Sequence, residues 1–485
     1  MSRISCLVQD VLDNFYRPDT GRGRDRSPEM KLIGDKNFYK RAFALILPIF
    51  IQTFITNFVS MLDNIMVGKV GTAPMTGVAV ANQILNVLIL CIFGTVSGAG
   101  IMGAQFFGNG DLERFRDTFR FKIIACVGIT LLAAAAIRIF RDPLIGRFLS
   151  GEEDRELAAE ALSAGRGYLE IMLIGLIPYA MVQAFSSTLR EGDRPVLPMV
   201  AGLCAVGINL VLNYVLIFGH FGAPRLGVNG AAIATVISRF AELLIVVLAV
   251  AFGRKRYPFM AGAFRSMRVP ARLVGAILTK ALPLILNETM WALGNTVITR
   301  QFSLRGLEVV AAYNIELTFF GVFFVVFQSV GAASGIIVGQ HLGAGDRTRA
   351  KEDSGRLIAL SVGLSLVVGA VFAITAAYIP LLYNVTAGAR SLAAGFMRIC
   401  AFTLPLEAAV NAIYFILRSG GRMGTTILFD SGFSWAVVVP TVILLIHISS
   451  LSVLTVSLCE RLLVLLKLLL GLVILRRGKW ARTLT

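Results

Sequence analysis

Charge is what this sequence has least of. Only 15% of its 485 residues are Asp, Glu, Lys or Arg, while 56% are hydrophobic. A soluble domain carries about 25% charged residues to solvate its surface, so the shortage excludes an ordinary soluble enzyme or binding module. Histidine is nearly missing: His220, His341 and His447 lie far apart, which leaves no triad and no transition-metal set. The six cysteines (Cys6, Cys91, Cys126, Cys204, Cys400, Cys459) show neither metal-ligand nor redox spacing, so neither zinc nor a disulfide is indicated. No G-x-x-x-x-G-K-[ST] loop is present, so ATP does not drive the chain directly. A filter-like segment such as T-V-G-Y-G is missing too, which weighs against a channel. The first 41 residues carry mixed charge and no short apolar core, unlike a cleaved signal peptide.

What fills the chain is apolar blocks of about 20 residues or more, the length that crosses a bilayer as a helix and too long for barrel strands. The fold class is an all-α polytopic membrane protein with twelve transmembrane helices. Candidate spans run 42–67, 75–104, 119–140, 161–189, 196–219 and 228–252, then 271–303, 309–340, 356–382, 391–418, 424–446 and 451–476. The expected organisation is a basic N-terminal segment 1–41, a first lobe 42–252, a basic linker 253–270 and a second lobe 271–485 with a short basic tail. The Gly/Arg/Asp-rich stretch Asp19–Met30 is expected to be disordered. Net charge is +17, and its cations gather at the N-terminus (Arg17, Arg22, Arg24, Arg26, Lys31, Lys36, Lys40, Arg41) and in alternate loops. Those loops carry Arg114–Arg116–Arg120, Arg190–Arg194, Arg254–Lys255–Arg256, Arg347–Arg349–Lys351, Arg418–Arg422 and Arg476–Arg477–Lys479, while Glu152–Asp154 marks a mixed loop. This alternation places both termini in the cytoplasm. The basic balance reads as orientation and contact with anionic lipid, not nucleic-acid binding.

The chain repeats itself. Q-F-F-G-N-G-D at 105–111 returns as Q-H-L-G-A-G-D at 340–346, and Leu47-Pro48 returns as Leu282-Pro283. L-R-E-G-D-R at 189–194 returns, at a slightly shorter offset, as L-R-S-G-G-R at 417–422. Each half holds six spans, an even number, so the two copies share one orientation. Parallel repeats of this kind characterise alternating-access transporters that bind substrate between their halves. The glycines of the Q-x-x-G-x-G-D exits are expected to make tight turns, and Asp111 and Asp346 to cap the next helix or pair with a nearby Arg.

Ionisable residues inside spans are costly, and each is a functional candidate. Asp63, in S-M-L-D-N-I-M-V-G at 60–68, has no cation within four residues. It is either a helix-end carboxylate at the outer surface or a cation-exchange carboxylate that burial makes costly to leave charged. Asn209 and Asn213 share a helix face by their i, i+4 spacing, and Thr235 sits in the small-residue run 230–235. With Asp63 these oxygens form a candidate Na⁺ site or a hydrogen-bond network around a protonatable acid. The amides can equally be polar glue between helices. No other metal is expected. The second half holds Glu288, Glu316, Arg398, Glu407, Asp430, Glu460 and Lys467. Pro283, five residues before Glu288, can kink its helix. Expected neutralising pairs are Glu460 with Lys467 or Arg461, and Glu407 with Arg398. Glu288, Asp430, Glu316 and Glu407 are the second-lobe candidates for cation coupling or substrate binding.

Together these residues resemble the MATE (multidrug and toxic compound extrusion) family, its bacterial, DinF-like branch in particular. The resemblance runs over about 40–485. It rests on M-L-D-N-I-M-V-G around Asp63, Gln105 to Asp111, Leu189 to Met199, Asn209 to Gly219, G-V-N-G-A-A-I-A-T at 227–235, Asn314 to Asp346 and Gly478-Lys-Trp480. It implies two six-helix lobes around a V-shaped cavity and efflux of drugs or metabolites driven by Na⁺ or H⁺. Family members use a first-span carboxylate, at Asp63 here, with polar residues of the fifth and sixth spans, which fall on Asn209, Asn213 and Thr235. Some relatives carry an acid where this chain has Asn213. Others place coupling acids in the seventh and eleventh spans, which points to Glu288 and Asp430.

The expected function is secondary active antiport: export of small organic compounds, cationic or amphipathic, in exchange for H⁺ or Na⁺. The chain is not expected to be an enzyme, since no nucleophile–base pair or His/Asp metal set falls within its spans. No cofactor is expected beyond the coupling ion. The expected partners are a small-molecule substrate and the bilayer, with no nucleic acid and no obligate protein partner. The expected location is the plasma (inner) membrane. A lipid-linked oligosaccharide or polysaccharide flippase is the alternative, although mostly acidic in-span charges favour cationic or neutral cargo. A nontransporting scaffold or receptor would not need the duplication or the buried acids.

Overall fold

The computed structural model describes residues 32–149, 155–448 and 450–484. Cys6, the cations from Arg17 to Lys31, the stretch 19–30 and the Glu152–Asp154 loop lie outside the described residues.

The described chain is helical throughout. The first lobe comprises α1 (Lys36–Gly68), α2 (Thr72–Gly108), α3 (Leu112–Leu149), α4 (Arg155–Ile174), α5 (Leu176–Glu191), α6 (Val196–Phe218) and α7 (Gly227–Phe252). The second comprises α8 (Ala271–Ser303), α9 (Leu307–Gly343), α10 (Arg347–Thr375), α11 (Ala387–Ser419), α12 (Met423–Ile448) and α13 (Val453–Arg477). Among the described residues ten helices are long and apolar enough to cross a bilayer, and the bent pair α4–α5 makes an eleventh span. Helix α13 has spanning length, 25 residues, but carries Glu460, Arg461 and Lys467 in its middle. With it the twelve expected spans are present.

Local chemistry sets the helix ends. Asp35, Asp346, Thr386 and Ser452 each accept a backbone N–H three residues on, the N-cap bond that satisfies a free first-turn donor. Asp111 does the same for Arg114 at 3.0 Å. In both Q-x-x-G-x-G-D exits the second glycine is left-handed, with φ of 77° at Gly110 and 78° at Gly345. The motif therefore ends one helix, turns on that glycine and caps the next with its aspartate.

Two elements depart from the sequence reading. The fourth span, expected to be one helix over 161–189, bends by 47° between Ile174 and Leu176. Pro178 has no N–H to give the carbonyl four residues back, which breaks the ladder there. The next carbonyl, that of Gly175, keeps the Tyr179 N–H at 3.3 Å and also accepts from Arg239 Nη1 at 3.3 Å. The eleventh span widens into π-helix at Leu428–Gly432 and Ser434–Val438. Such bulges re-aim side chains and often mark functional positions. The linker 253–270 also packs as structure: Phe259, Met260 and Ala263 are buried. Arg116 donates to the Phe259 carbonyl at 3.1 Å, and Arg120 donates to the Ala263 carbonyl at 2.7 Å.

The lobes meet along α2, α8 and α9. Gly94 and Gly98 of α2 face Ile285 and Ala281 of α8, where a Cβ would collide. Gly108 lies against the Gln340 backbone and Gly343 against the Gln105 backbone. Small residues permit this approach, and in lipid close packing replaces the hydrophobic drive between helices. Phe38, Ala42, Leu45 and Ile46 of α1 join the second lobe's core, and Leu484 of the tail packs on the first lobe's.

Candidate functional site

Four of the sequence candidates converge in the first lobe. Asn213 Nδ2 donates to Asp63 Oδ1 at 2.6 Å. Asn209 lies between its neighbours, 3.1 Å from Asn213 Nδ2 and 3.3 Å from Thr235 Oγ1. With its amide nitrogen turned toward Asp63 it donates to both carboxylate oxygens, at 3.1 and 3.2 Å, and its oxygen accepts from Thr235. Asn213 is fully buried, and its Oδ1 has no hydrogen-bond partner. No ion pair within 4.0 Å reaches Asp63 among the described residues. A lone carboxylate with an open amide oxygen beside it is an arrangement that can take up a small cation or a proton. Helices α1, α6 and α7 bring these groups together from positions 150 residues apart.

The second-lobe candidates divide into two clusters. Asn287 Nδ2 donates to Asp430 Oδ2 at 2.8 Å and lies 3.3 Å from the Tyr414 hydroxyl, which donates to Glu288 Oε1 at 2.7 Å. Lys467 Nζ binds Asp430 Oδ1 at 2.7 Å. Lys467 therefore neutralises Asp430, not Glu460 as the sequence pairing allowed. In the other cluster Arg461 lies 2.8 Å from Glu316, 3.7 Å from Glu460 and 3.9 Å from Glu407. The Glu407 partner is thus Arg461, on a distant helix, in place of the expected Arg398. One buried guanidinium, hydrogen-bonded to Glu316 and within 4.0 Å of Glu460 and Glu407, reads as an electrostatic clamp between α9, α11 and α13.

Sequence reasoning missed a third pair. Lys122 of α3, fully buried, reaches both Glu191 carboxylate oxygens at 2.6 and 2.7 Å. Ser187 also bonds Glu191. Neither stands out in the sequence: Lys122 follows Arg120 at the start of an apolar span, and Glu191 lies in the L-R-E-G-D-R exit.

Between the lobes lies a cavity of about 640 Å³. Its walls come from α1, α2 and α5 of the first lobe and from α9 and α11 of the second, with Gln52, Asn57, Phe93, Gln328 and Phe415 among them. None of the eight candidate residues lines it. Arg190 and Arg418 do. Counted in sequence as loop cations, they are helical residues that end α5 and α11.

At one end the cavity is shut by a reciprocal lock. Gln105 Nε2 donates to the Ser419 carbonyl at 2.9 Å, and Gln340 Nε2 to the Glu191 carbonyl at 2.8 Å. Each exit glutamine thus bonds the end of the other lobe's L-R-x-G-x-R helix. Arg41 bonds Gln340 and lies 3.6 Å from Asp193. Across the seam the tail adds Leu484 N–H to Gln105 Oε1 at 2.7 Å, and Thr483 anchors the tail to the Leu342 carbonyl of its own lobe at 3.1 Å.

Comparison with known proteins agrees with this architecture. The MatE family model matches residues 48–215 and 283–444, two segments that begin at the paired prolines. The probable multidrug resistance protein NorM of Thermotoga maritima is 25% identical over 310 residues, 64% of each chain. The chain thus spans just under two thirds of that relative's length. The multidrug resistance protein MdtK of Yersinia pseudotuberculosis is 28% identical over 377 residues, 76% of this chain and 79% of MdtK. Among solved structures, the MATE transporter VcmN of Vibrio cholerae superposes with a TM-score of 0.82 at 18% identity, over 92% of this chain and 98% of that one. A MOP superfamily transporter of Pyrococcus furiosus gives 0.78 at 18% identity, over 95% and 100%.

Proposed function

The chain belongs to the MatE family, and from that membership we propose that it is a secondary active efflux transporter. It exports small organic compounds, cationic or amphipathic, in exchange for H⁺ or Na⁺, and needs no cofactor beyond the coupling ion. One observation carries the coupling: Asp63 is held by neutral amides with no ion pair within 4.0 Å among the described residues, and it stands outside the wall of the interlobe cavity. Ion and cargo therefore occupy separate places, the ion within the first lobe and the cargo between the lobes. Uptake of a cation or proton at Asp63 removes the cost of a lone buried charge, which favours whichever conformation hides that site from water. The lobes then rock about the glycine-lined seam.

The cations at the end where the exit glutamines lock support a cytoplasmic side there. Both termini belong on that side of the plasma membrane, and the two glutamine bonds close the cavity toward it. A volume near 640 Å³ suits a drug-sized molecule. A lipid-linked oligosaccharide is far larger, and together with the multidrug names of the relatives this disfavours the flippase reading.

The test is ethidium efflux from proteoliposomes with a pH gradient and a Na⁺ gradient imposed separately. Efflux should follow one gradient and thereby name the coupling ion. No efflux under either gradient would overturn the proposal.

A further inference from the structure

Among the described residues three formally charged side chains line the cavity: Arg190, Glu191 and Arg418. Glu191 is neutralised by Lys122 at 2.6 Å, so the wall carries the charge of two guanidiniums. Arg190 gives one donor to Gln52 Oε1 at 2.6 Å, while its buried Nε has no partner. Arg418 is 8% exposed, lies over the Phe415 ring at 4.9 Å, and has a buried Nη1 without a partner. The nearest acids act on them only through space. Glu242 and Glu191 face Arg190, and Glu288, held by Tyr414, faces Arg418. Neither arginine has an ion pair within 4.0 Å among the described residues. The two stand at equivalent positions of the internal repeat, one from each lobe.

A guanidinium with unused donors in a membrane interior is costly. Its planar fork matches an oxyanion, which would satisfy several donors at once. Phe93 and Phe415 flank Arg418, with its guanidinium 5.9 and 4.9 Å from their ring centroids. We propose that the deep end of this cavity is an oxyanion subsite, in which Arg190 and Arg418 bind the carboxylate of an amphipathic aromatic substrate, zwitterions included, while Phe93 and Phe415 hold its ring. This assignment rests on the transporter reading and extends its cargo beyond cations. An anionic lipid headgroup presents the same chemistry, so the test must tell the two sources apart.

The probes are 2-naphthoate and its neutral isostere 2-naphthamide, titrated calorimetrically into the full chain in nanodiscs of zwitterionic lipid. Wild type should prefer naphthoate by about tenfold, the worth of one charge-assisted contact. Arg190→Gln and Arg418→Gln should bring the preference toward unity, and Arg418→Lys should keep part of it. A wild-type helical circular dichroism spectrum and thermal melt show that the variants are folded. Equal binding of the two probes by wild type, or a preference that survives both Gln variants, would overturn the subsite. A preference lost when phosphatidylglycerol is added to the discs would overturn the soluble-substrate assignment in favour of a lipid headgroup. The ethidium assay is independent: a naphthoate preference without gradient-driven efflux would remove the transport reading and leave the subsite.

Discussion

Asp63 and Asp430 each accept from an Asn amide of a neighbouring helix, at 2.6 and 2.8 Å, yet only Asp430 has an ammonium, Lys467, at 2.7 Å. Under the proposed antiport that difference favours Asp63 for the coupling, since a carboxylate already neutralised gains little from a cation. Asp63→Asn should lower gradient-driven ethidium efflux by about tenfold or more with normal folding, whereas Asp430→Asn should mainly destabilise. Wild-type efflux in Asp63→Asn would move the role to Glu288, tested by Glu288→Gln. The buried Lys122–Glu191 pair carries a stability prediction. Lys122→Met leaves Glu191 charged and unpaired at 3% exposure, and should cost about 3–5 kcal/mol in denaturant unfolding. Adding Glu191→Gln should restore most of that stability, and no recovery would show that the pair is not the cause. Asp63, Asn209, Asn213 and Thr235 were legible beforehand because a family motif surrounds each one. Lys122 was not, since the sequence of its span does not reveal which helix faces it.

At the scale of elements, the Q-x-x-G-x-G-D exits do two jobs. Their second glycines turn the chain at positive φ. Their first glycines let one exit lie against the other, with no room for a Cβ beside the Gln105 and Gln340 backbones. Gly343→Val should therefore wedge the seam. A cysteine placed at Ser419, which is 2% exposed, should then react faster with an impermeant maleimide applied at the basic end. An unchanged rate would mean that the contact is not part of the closure. The turn role was readable from the pattern of glycine and aspartate. The crossing of the two exits was not, because it joins positions more than two hundred residues apart. The break at Gly175 and the π-helix at Asp430 were likewise outside the reach of an apolar-block reading, which sums hydropathy and ignores backbone hydrogen bonds.

For the whole molecule, closure of the basic end depends on both lobes and on the tail. Trp480 is 2% exposed, and its backbone carbonyl lies against Gly420. Leu484 reaches the first lobe beside Gln105. Ending the chain after Gly478 should loosen this strap and raise the population open at the basic end, read by the same maleimide reaction at position 419. A truncated protein with the wild-type rate would leave the glutamine lock as the sole closure. The sequence by itself determined the membrane-spanning helical class, the duplication and the family, because hydropathy, repeats and motifs are properties of local runs of residues. Only the tertiary structure decided which acids are neutralised, that the cavity wall is cationic while the spans are rich in acids, and that Arg190 and Arg418 share that wall. Those outcomes depend on helix rotation and on partners distant in the chain, such as Arg461 with Glu316, 145 residues apart. A rotation of a quarter turn would change every such pairing while leaving the hydropathy of each span the same.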